Sequence, residues 1–174
     1  MIDKNTGDMI ILVDRNDREI GYEEKMKPHF EGRLHRAFSV FVFNSDGKML
    51  LQKRAKSKYH SGGLWTNTCC SHPRKGEKTD GAAHRRLSEE MGFDCPLEER
   101  FTFIYKAKLD RGLTEHEFDH VFTGTYDGEV KPNPEEADGY DWVSIADLKD
   151  GMKKNPQNYT VWFKIALPKL LENL

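Results

Sequence analysis

The chain lacks both a long apolar run and an excess of basic residues. Its 174 residues include 27 lysines and arginines against 29 aspartates and glutamates, which gives a formal net charge of -2. Proteins that bind nucleic acid non-specifically normally carry a basic excess, so this balance argues against a nucleic-acid partner. The sequence has no run of roughly 18 apolar residues, so we expect no membrane-spanning helix. A local basic pocket is still compatible with this composition.

Cysteine is also scarce, and its distribution argues against a disulfide framework. The chain has 3 cysteines, and two of them, Cys69 and Cys70, are adjacent. An odd count with adjacent members is more typical of a reducing compartment than of a secreted, cross-linked protein. Residues 1–8 lack the charged-then-apolar pattern of a signal peptide. We therefore expect a cytoplasmic protein.

Predicted strands and helices follow one another without an internal repeat or a linker. The strands are predicted at residues 9–13, 19–22, 37–43, 48–52, 64–70, 101–108, 115–126 and 140–143. The helices are predicted at residues 79–91, with Thr79 as the cap, after Ser144, and at residues 158–171. The strand at residues 37–43 is apolar on both faces, which is typical of the centre of a sheet. The pattern predicts one domain, residues 1–174, with an α+β fold in which helices pack on a mixed sheet.

The helix predicted for residues 79–91 carries charges on its apolar side. At about 100° per residue, Ala82 and Leu87 lie on the apolar face, and Arg86 and Glu90 fall within the same arc. Buried charges are costly unless they find partners. One interpretation is a structural Arg86–Glu90 bridge, one turn apart. We favour the other, a polar cavity that holds a metal and an anionic ligand, because buried charges in clefts often mark functional sites.

Two predicted strands each carry a pair of reactive side chains two residues apart. Because strand side chains alternate, Cys70 and His72 face the same way and Cys69 faces away. Glu115 and Glu117 repeat this geometry on the second strand. Each pair alone is also compatible with an ordinary buried cysteine or an ordinary edge strand. If both faces line one cavity, its thiol, imidazole and carboxylates are suited to bind a divalent metal and to move protons.

Histidines and basic residues ahead of the central strand fit the same cavity. His29 and His35 lie on the approach to that strand. The other histidines are assigned to surface or packing roles: His60, His84, His116 and His120. The clustered basic residues are Lys25, Lys27, Lys53, Arg54, Lys56 and Lys58. In a chain without a basic excess, this cluster indicates a phosphate pocket more than a nucleic-acid surface, although a solvated lysine-rich loop accounts for some of its members.

Residues 77–93 carry a recognisable motif. They read Glu77-x7-Arg85-Arg86-Leu87-x-Glu89-Glu90-x-Gly92-Phe93. This pattern resembles the Nudix box, with Ser71 in place of the first glycine and Arg86 in place of a glutamate. In Nudix hydrolases that glutamate belongs to the cluster that carries the metals. The resemblance therefore implies a Nudix-type fold, while the arginine argues against hydrolysis.

The segments around the box resemble type 1 isopentenyl-diphosphate isomerases more specifically. These segments are Lys25-x3-His29, Arg33-Leu-His35, Arg54-Ala-x-Ser57-Lys58, Trp65-Thr-Asn-Thr-Cys-Cys-Ser-His-Pro73 and Glu115-x-Glu117. They occur in the right order and cover nearly the whole chain. The resemblance implies conversion of isopentenyl diphosphate to dimethylallyl diphosphate by protonation and deprotonation, with a small isoprenoid diphosphate as substrate.

The resemblance also implies roles for individual residues. The ligands of one divalent ion would be His29, His35, His72, Glu115 and Glu117. The residues in contact with the diphosphate would be Lys25, Arg54, Lys58 and Arg86. The aromatic pocket residues would be Tyr105 and Trp162. Cys70 and Glu117 would form the acid–base pair, in an order that the residues leave open. Glu90 would help to hold Mg2+ at the diphosphate, and the mixed ligands of the other ion allow Mn2+, Zn2+ or Mg2+.

Two other functions fit parts of the sequence. A Nudix pyrophosphohydrolase would use the same box on a nucleotide or isoprenoid diphosphate, and it would release phosphate without forming an allylic isomer. A metal-stabilised binding module would use the cysteine and histidine residues for structure, but the Cys69-Cys70-x-His72 spacing lacks the cysteine pair of common zinc sites. We expect the isomerase.

Overall fold

A long central strand and two hairpins organise this chain. The computed structural model describes residues 9–174, so the expectation about a signal peptide in residues 1–8 lies outside it. The strands are β1 (Met9–Val13), β2 (Glu19–Glu24), β3 (His35–Phe43), β4 (Met49–Arg54), β5 (Trp65–Thr66), β6 (Cys69–Ser71), β7 (Leu97–Lys108), β8 (Thr114–Thr125) and β9 (Ala137–Val143). The helices are α1 (Met26–Glu31), α2 (Thr79–Met91), α3 (Ile145–Lys154) and α4 (Val161–Glu172), with a 3-10 turn at Pro156–Asn158.

All the strands join one mixed sheet around β3. This strand pairs antiparallel with β1, β4 and β6 and parallel with β8. Both of its faces are buried, as its doubly apolar sequence predicts. The hairpins β1–β2 and β7–β8 are antiparallel, as expected. The prediction of an α+β fold with helices on a mixed sheet is confirmed. None of the helices between residues 9 and 174 combines the length and apolar content needed to cross a bilayer.

Helices cover both faces of the sheet and form two separate cores. On one face α2 packs against Phe38 and Cys69, both fully buried. On the other face α4 packs through Phe163, whose ring centre lies 6.1 Å from that of Phe41 on β3. Because successive side chains of a strand point to opposite faces, Cys70 turns toward the α4 side. Of the two adjacent cysteines, only Cys70 can therefore contribute to a site on the α4 side of the sheet.

The strand predicted at residues 64–70 is split in two, so that prediction was wrong in its extent. Asn67 and Thr68 separate β5 from β6. The Asn67 side-chain amide donates to the carbonyl of Val40 at 3.1 Å, and the Thr68 hydroxyl donates to that of Leu50 at 2.7 Å. Asparagine and threonine side chains compete with backbone ladders in this way. The break lets the short β6 run along β3 on its own.

Two predicted helix starts also differ from the structure. The cap residue of α2 is Lys78, which forms no side-chain capping bond, so the assignment of Thr79 as the cap was wrong. The last helix starts at Val161 instead of residue 158, because Thr160 is its N-cap and its hydroxyl accepts a backbone amide. Ser144 caps α3 as its sequence predicts.

Candidate active site

Two adjoining pockets that share part of their lining, here named the inner and the outer chamber, lie at the ends of β4, β6 and β8, beside α2. The residues that define the inner chamber are His60, His72, Glu115, Glu117 and Trp162. The residues that define the outer chamber are Lys25, Lys58, Arg86 and Glu90. Arg54, Cys70 and His72 line both chambers. The outer chamber is rich in positive charge, whereas the inner chamber combines carboxylates, imidazoles and an indole.

Strand alternation and register bring the predicted reactive residues together. On β8, Glu115 and Glu117 are buried toward the site, while His116 points away to the carbonyl of Gly32. The parallel register of β3 and β8 sets His35 beside Glu117. On the other side of β3, Cys70 pairs with Ser39. The two strands that flank β3 therefore supply the two members of the predicted acid–base pair.

A group of histidines and glutamates lies at and behind one wall of the inner chamber, which His72, Glu115 and Glu117 line. The ligand atoms of His29, His35, His72 and Glu115 all lie within 4.8 Å of one another. Glu117 adjoins this group, with its Oε2 3.1 Å from His72 Nε2 and 3.5 Å from His35 Nε2. The five residues that the resemblance implies as ligands thus come together from α1, β3, β8 and the segment after β6.

The hydrogen bonds of two histidines leave their inward nitrogens available to a cation. His29 Nδ1 donates to the Lys25 carbonyl at 2.7 Å, and His35 Nδ1 donates to the Arg33 carbonyl at 2.9 Å. In a neutral imidazole the other nitrogen, Nε2, then carries a lone pair. Neither Nε2 atom, nor Glu115 Oε2, makes a well-directed hydrogen bond within the described part of the chain. Lone pairs that converge on a buried carboxylate fit a divalent cation between them.

The protonation of this wall also suits metal binding. Burial lowers the pKa of His72 to about 4, so its imidazole is neutral near pH 7. Burial opposes the ionisation of Glu115, but the adjacent His29 outweighs it and holds the pKa of that carboxyl well below its usual range. Burial opposes the charging of His29, but Glu115 outweighs it and raises the pKa of His29, so His29 holds a proton beside Glu115 more readily than a free imidazole does. A bound cation would displace that proton, and imidazole nitrogens with carboxylate oxygens then form a set that suits Mn2+, Zn2+ or Mg2+.

Cys70 is a half-buried thiol with two polar neighbours. Its Sγ lies 3.0 Å from Asn67 Oδ1 and 3.6 Å from Ser39 Oγ. The Ser39 hydroxyl donates to Asp119 at 2.7 Å. Burial raises the pKa of the Cys70 thiol well above its usual value, so Cys70 carries its proton near pH 7. A protonated thiol on the chamber wall is suited to donate that proton.

The two predicted aromatic residues occupy different places. Trp162 lies on the wall of the inner chamber, with the guanidinium carbon of Arg54 5.1 Å from its ring centre. Tyr105 lies behind Glu117 and donates a hydrogen bond to its Oε1. Burial and the Glu117 charge raise the pKa of Tyr105 well above its usual value, so the hydroxyl remains a donor. Tyr105 therefore holds a carboxylate in place, whereas Trp162 faces the chamber.

Arg86 and Glu90 form the ion pair of the first interpretation, and they also border a cavity. They are buried and form an ion pair with Arg86 Nη2 2.9 Å from Glu90 Oε1. Arg86 also lies 2.6 Å from Glu89 and 3.2 Å from Glu136, so several carboxylates compensate its charge. Both residues nevertheless line the outer chamber with Lys25. The bridge is structural, and the same guanidinium borders the basic chamber.

The sequence reasoning missed His60. Its assignment to a surface or packing role overlooked that its ring lines the inner chamber, with Nε2 3.4 Å from Glu115 Oε1. His60 lies in the loop between β4 and β5, two residues after Lys58. Outside a strand or helix, the sequence period does not predict where a side chain points. The one sequence feature that could have placed His60 in the site is its position next to Lys58, in the basic segment already assigned to the phosphate pocket.

Comparison with known proteins identifies the family. A family model for the NUDIX domain matches residues 33–163. Isopentenyl-diphosphate Delta-isomerase 2 of Aromatoleum aromaticum is 51% identical over 164 residues, which cover 94% of this chain and 87% of that protein. Isopentenyl-diphosphate Delta-isomerase of Serratia proteamaculans is 51% identical over 95% of this chain and 93% of that protein. The chain belongs to the isopentenyl-diphosphate Delta-isomerase family of the Nudix superfamily.

Solved structures share the fold at low sequence identity. The crystal structure of DR0079 from Deinococcus radiodurans has a TM-score of 0.70 at 20% identity and covers 84% of this chain and 89% of that one. The MutT NUDIX hydrolase from Burkholderia pseudomallei has a TM-score of 0.62 at 22% identity and covers 78% of this chain and 97% of that one. At these identities the likeness concerns the fold alone.

The isomerase family accounts for more of this chain than the NUDIX domain does. The domain match begins at residue 33, so it contains the box and both β8 glutamates but not Lys25 or His29. The isomerases align over 94% and 95% of the chain. The pocket needs both parts, because Lys25 lines its outer chamber and His29 belongs to the histidine cluster.

Proposed function

We propose that this chain converts isopentenyl diphosphate to dimethylallyl diphosphate in a metal-dependent reaction. The observation that carries the proposal is that Cys70 and Glu117 line one chamber, beside a histidine–glutamate cluster and an adjoining basic chamber. Moving the double bond from C3–C4 to C2–C3 requires one proton at C4 and the loss of one from C2. A thiol and a carboxylate that line the same chamber are groups able to give and to take these protons.

The acid–base pair consists of Cys70 and Glu117. One member delivers a proton to C4 and the other removes a proton from C2, so the substrate and product have the same composition. Cys70 is supported in this role by its protonated state and Glu117 by its hydrogen bond from Tyr105. A divalent ion on the cluster would supply positive charge beside Glu117 and tune its proton affinity. The ligands would be His29, His35, His72, Glu115 and Glu117.

The outer chamber binds the diphosphate in this proposal. The contacting residues would be Lys25, Arg54, Lys58 and Arg86, all of which line that chamber. Glu90 would hold Mg2+ against the diphosphate from the same wall. The planar guanidinium of Arg86 suits phosphate oxygens, whereas a hydrolase would place a carboxylate there. Arg86 is therefore the feature that favours isomerisation over hydrolysis.

Trp162 protects and stabilises the reacting carbon skeleton. Protonation of an unactivated alkene creates carbocation character, which water would quench. Trp162 lines the inner chamber and is 5% exposed. A cation over such a desolvated ring gains on the order of 2 kcal/mol. Trp162 would thus both exclude water and stabilise the cation.

Incubation with isopentenyl diphosphate and Mg2+ tests the proposal. The purified protein is expected to form dimethylallyl diphosphate, detected by separation of the two isomers, without release of phosphate. The same samples assayed for phosphate test the alternative, a Nudix pyrophosphohydrolase. Phosphate release without an allylic product would overturn the isomerase assignment. Full metal content with no turnover of any isoprenoid diphosphate would instead support a metal-stabilised binding module.

Removal of divalent ions is expected to stop isomerisation. The buried nitrogens and oxygens of the cluster lack hydrogen-bond partners among the described residues, and a cation would supply the missing interaction. The diphosphate would need Mg2+ in the outer chamber. Activity is expected to return fully only with Mg2+ together with Mn2+ or Zn2+. Circular dichroism of the chelated protein serves as the control for folding. Undiminished turnover by protein that elemental analysis finds metal-free would contradict the metal-dependent mechanism.

We further propose that residues 1–174 form one cytoplasmic domain whose partner is this small substrate. Cys69, Cys70 and Cys95 are free thiols, which supports a reducing compartment. The net charge of -2 supports the absence of a nucleic-acid partner.

A further inference from the structure

The inner chamber contains a fourth histidine, His60, to which the proposed reaction gives no role. Its side chain is buried, with 4% exposed. Its Nε2 lies 3.4 Å from Glu115 Oε1, and its Nδ1 lies 3.1 Å from the hydroxyl oxygen of Ser61. The ring thus connects a carboxylate of the histidine–glutamate cluster to a hydroxyl of its own loop.

The partners of His60 make it a hydrogen-bond donor rather than a metal ligand. The Nδ1 partner of His60 is a hydroxyl, which can donate as well as accept, so His60 Nε2 can carry the hydrogen and donate to the Glu115 carboxylate. The Ser61 hydroxyl can then donate to the remaining lone pair on His60 Nδ1. The Nδ1 partners of His29 and His35 are carbonyls, which only accept, so in the neutral rings Nε2 carries the lone pair. The 2.8 Å contact of His29 Nε2 with Glu115 Oε1 then needs a proton or a cation between the two atoms.

We propose that His60 is a positioning residue for the metal-binding carboxylate of Glu115. This proposal rests on the metal site of the proposed function. Glu115 Oε1 lies beside His60 Nε2 and His29 Nε2, at 3.4 and 2.8 Å. Glu115 Oε2 makes no hydrogen bond to the described residues and is the oxygen left for an ion. His60 fixes the rotation of the carboxylate, and outer hydrogen bonds of this kind raise metal affinity.

The loop around His60 is built to hold its ring in one place. Arg54 donates a side-chain hydrogen bond to the His60 carbonyl at 3.1 Å. Gly62 allows the tight turn that follows, because a Cβ atom there would lie 2.6 Å from the Lys56 carbonyl oxygen. The ring of His60 also meets Trp162 edge-to-face, with centres 5.5 Å apart. His60 therefore joins the metal wall of the chamber to its aromatic wall.

Two substitutions separate the hydrogen bond from the shape of the ring. His60→Phe keeps an aromatic ring against Trp162 but removes the donor to Glu115. His60→Gln keeps an N–H donor but removes the ring. We expect His60→Phe to weaken Mn2+ binding about 10-fold or more, the range found for outer-shell partners, and His60→Gln to stay within a few-fold of the wild type. His84→Phe on the exposed side of α2 is the matched control and should bind as the wild type does.

Isothermal titration with Mn2+ measures the affinity of each variant, and circular dichroism checks its fold. If His60→Phe does not fold, His60→Met removes the same donor with a more adaptable side chain. The Mn2+ concentration needed for half-maximal isomerisation should rise in parallel, while kcat at saturating Mn2+ changes little. Wild-type affinity in a folded His60→Phe or His60→Met protein overturns the role of His60 alone. Absence of Mn2+ binding by the wild type overturns the metal site itself and the role with it.

Discussion

Replacement of Cys70 by alanine is expected to reduce isomerisation about 10²- to 10⁴-fold, the usual contribution of a positioned acid or base. Of the two residues that we assign to proton transfer, Cys70 is the one that brings a thiol proton into the inner chamber. The fold and the metal content should change little, because the histidine–glutamate cluster does not include Cys70. Product formation at saturating substrate and elemental analysis measure the two effects.

The adjacent cysteine provides the matched control. Cys69 is fully buried in the core beneath α2, on the opposite face of the sheet from the chamber. Cys69→Ala should therefore keep near-wild-type turnover and show its effect in a lower melting temperature, since it leaves a small cavity. Wild-type rates in both variants would refute the assignment of Cys70 to proton transfer.

Glu117→Gln is expected to eliminate detectable turnover. The substitution keeps the shape of the side chain, and its amide oxygen can still accept the hydrogen bond of Tyr105. It removes the negative charge that a proton acceptor and metal ligand needs beside His72 and His35. The predicted loss therefore has two sources, proton transfer and metal affinity. Mn2+ titration separates them, because turnover at saturating Mn2+ reports on proton transfer alone.

An exposed glutamate on the neighbouring strand supplies the control for Glu117. The side chain of Glu98 on β7 is 68% exposed and forms a surface ion pair with Arg100. Glu98→Gln should therefore leave both turnover and Mn2+ binding unchanged. An active, metal-replete Glu117→Gln protein would count decisively against the proposed mechanism.

Local periodicity accounts for what could be predicted about the site. The two-residue period of a strand is enough to set Cys70 apart from Cys69, and it also sends Glu115 and Glu117 to one side. The helical period likewise placed Arg86 among the buried residues of α2. These predictions hold because the direction of a side chain within a regular element depends on the backbone of that element alone.

The predictions that failed involve side chains that bond to distant backbone or lie outside regular elements. Asn67 splits a predicted strand because its amide reaches the carbonyl of Val40 on β3. His60 was overlooked because its direction is set by a loop, by the Arg54 bond to its carbonyl and by the approach of β8. No pattern of neighbouring residues encodes such contacts.

The sequence by itself determined the mixed α+β architecture, the residue types of the pocket and the resemblance to the isomerases. The tertiary structure decided which atoms meet. It set His29, His35 and His72 around Glu115, and it left Glu115 Oε2 as the oxygen without a hydrogen bond to any of residues 9–174. It also gave Arg86 the additional partner Glu136, 50 residues further along the chain than position 86. The physical reason is that the backbone of one strand or helix sets the direction of its side chains. A contact between side chains of different elements depends on how all the strands and helices pack together.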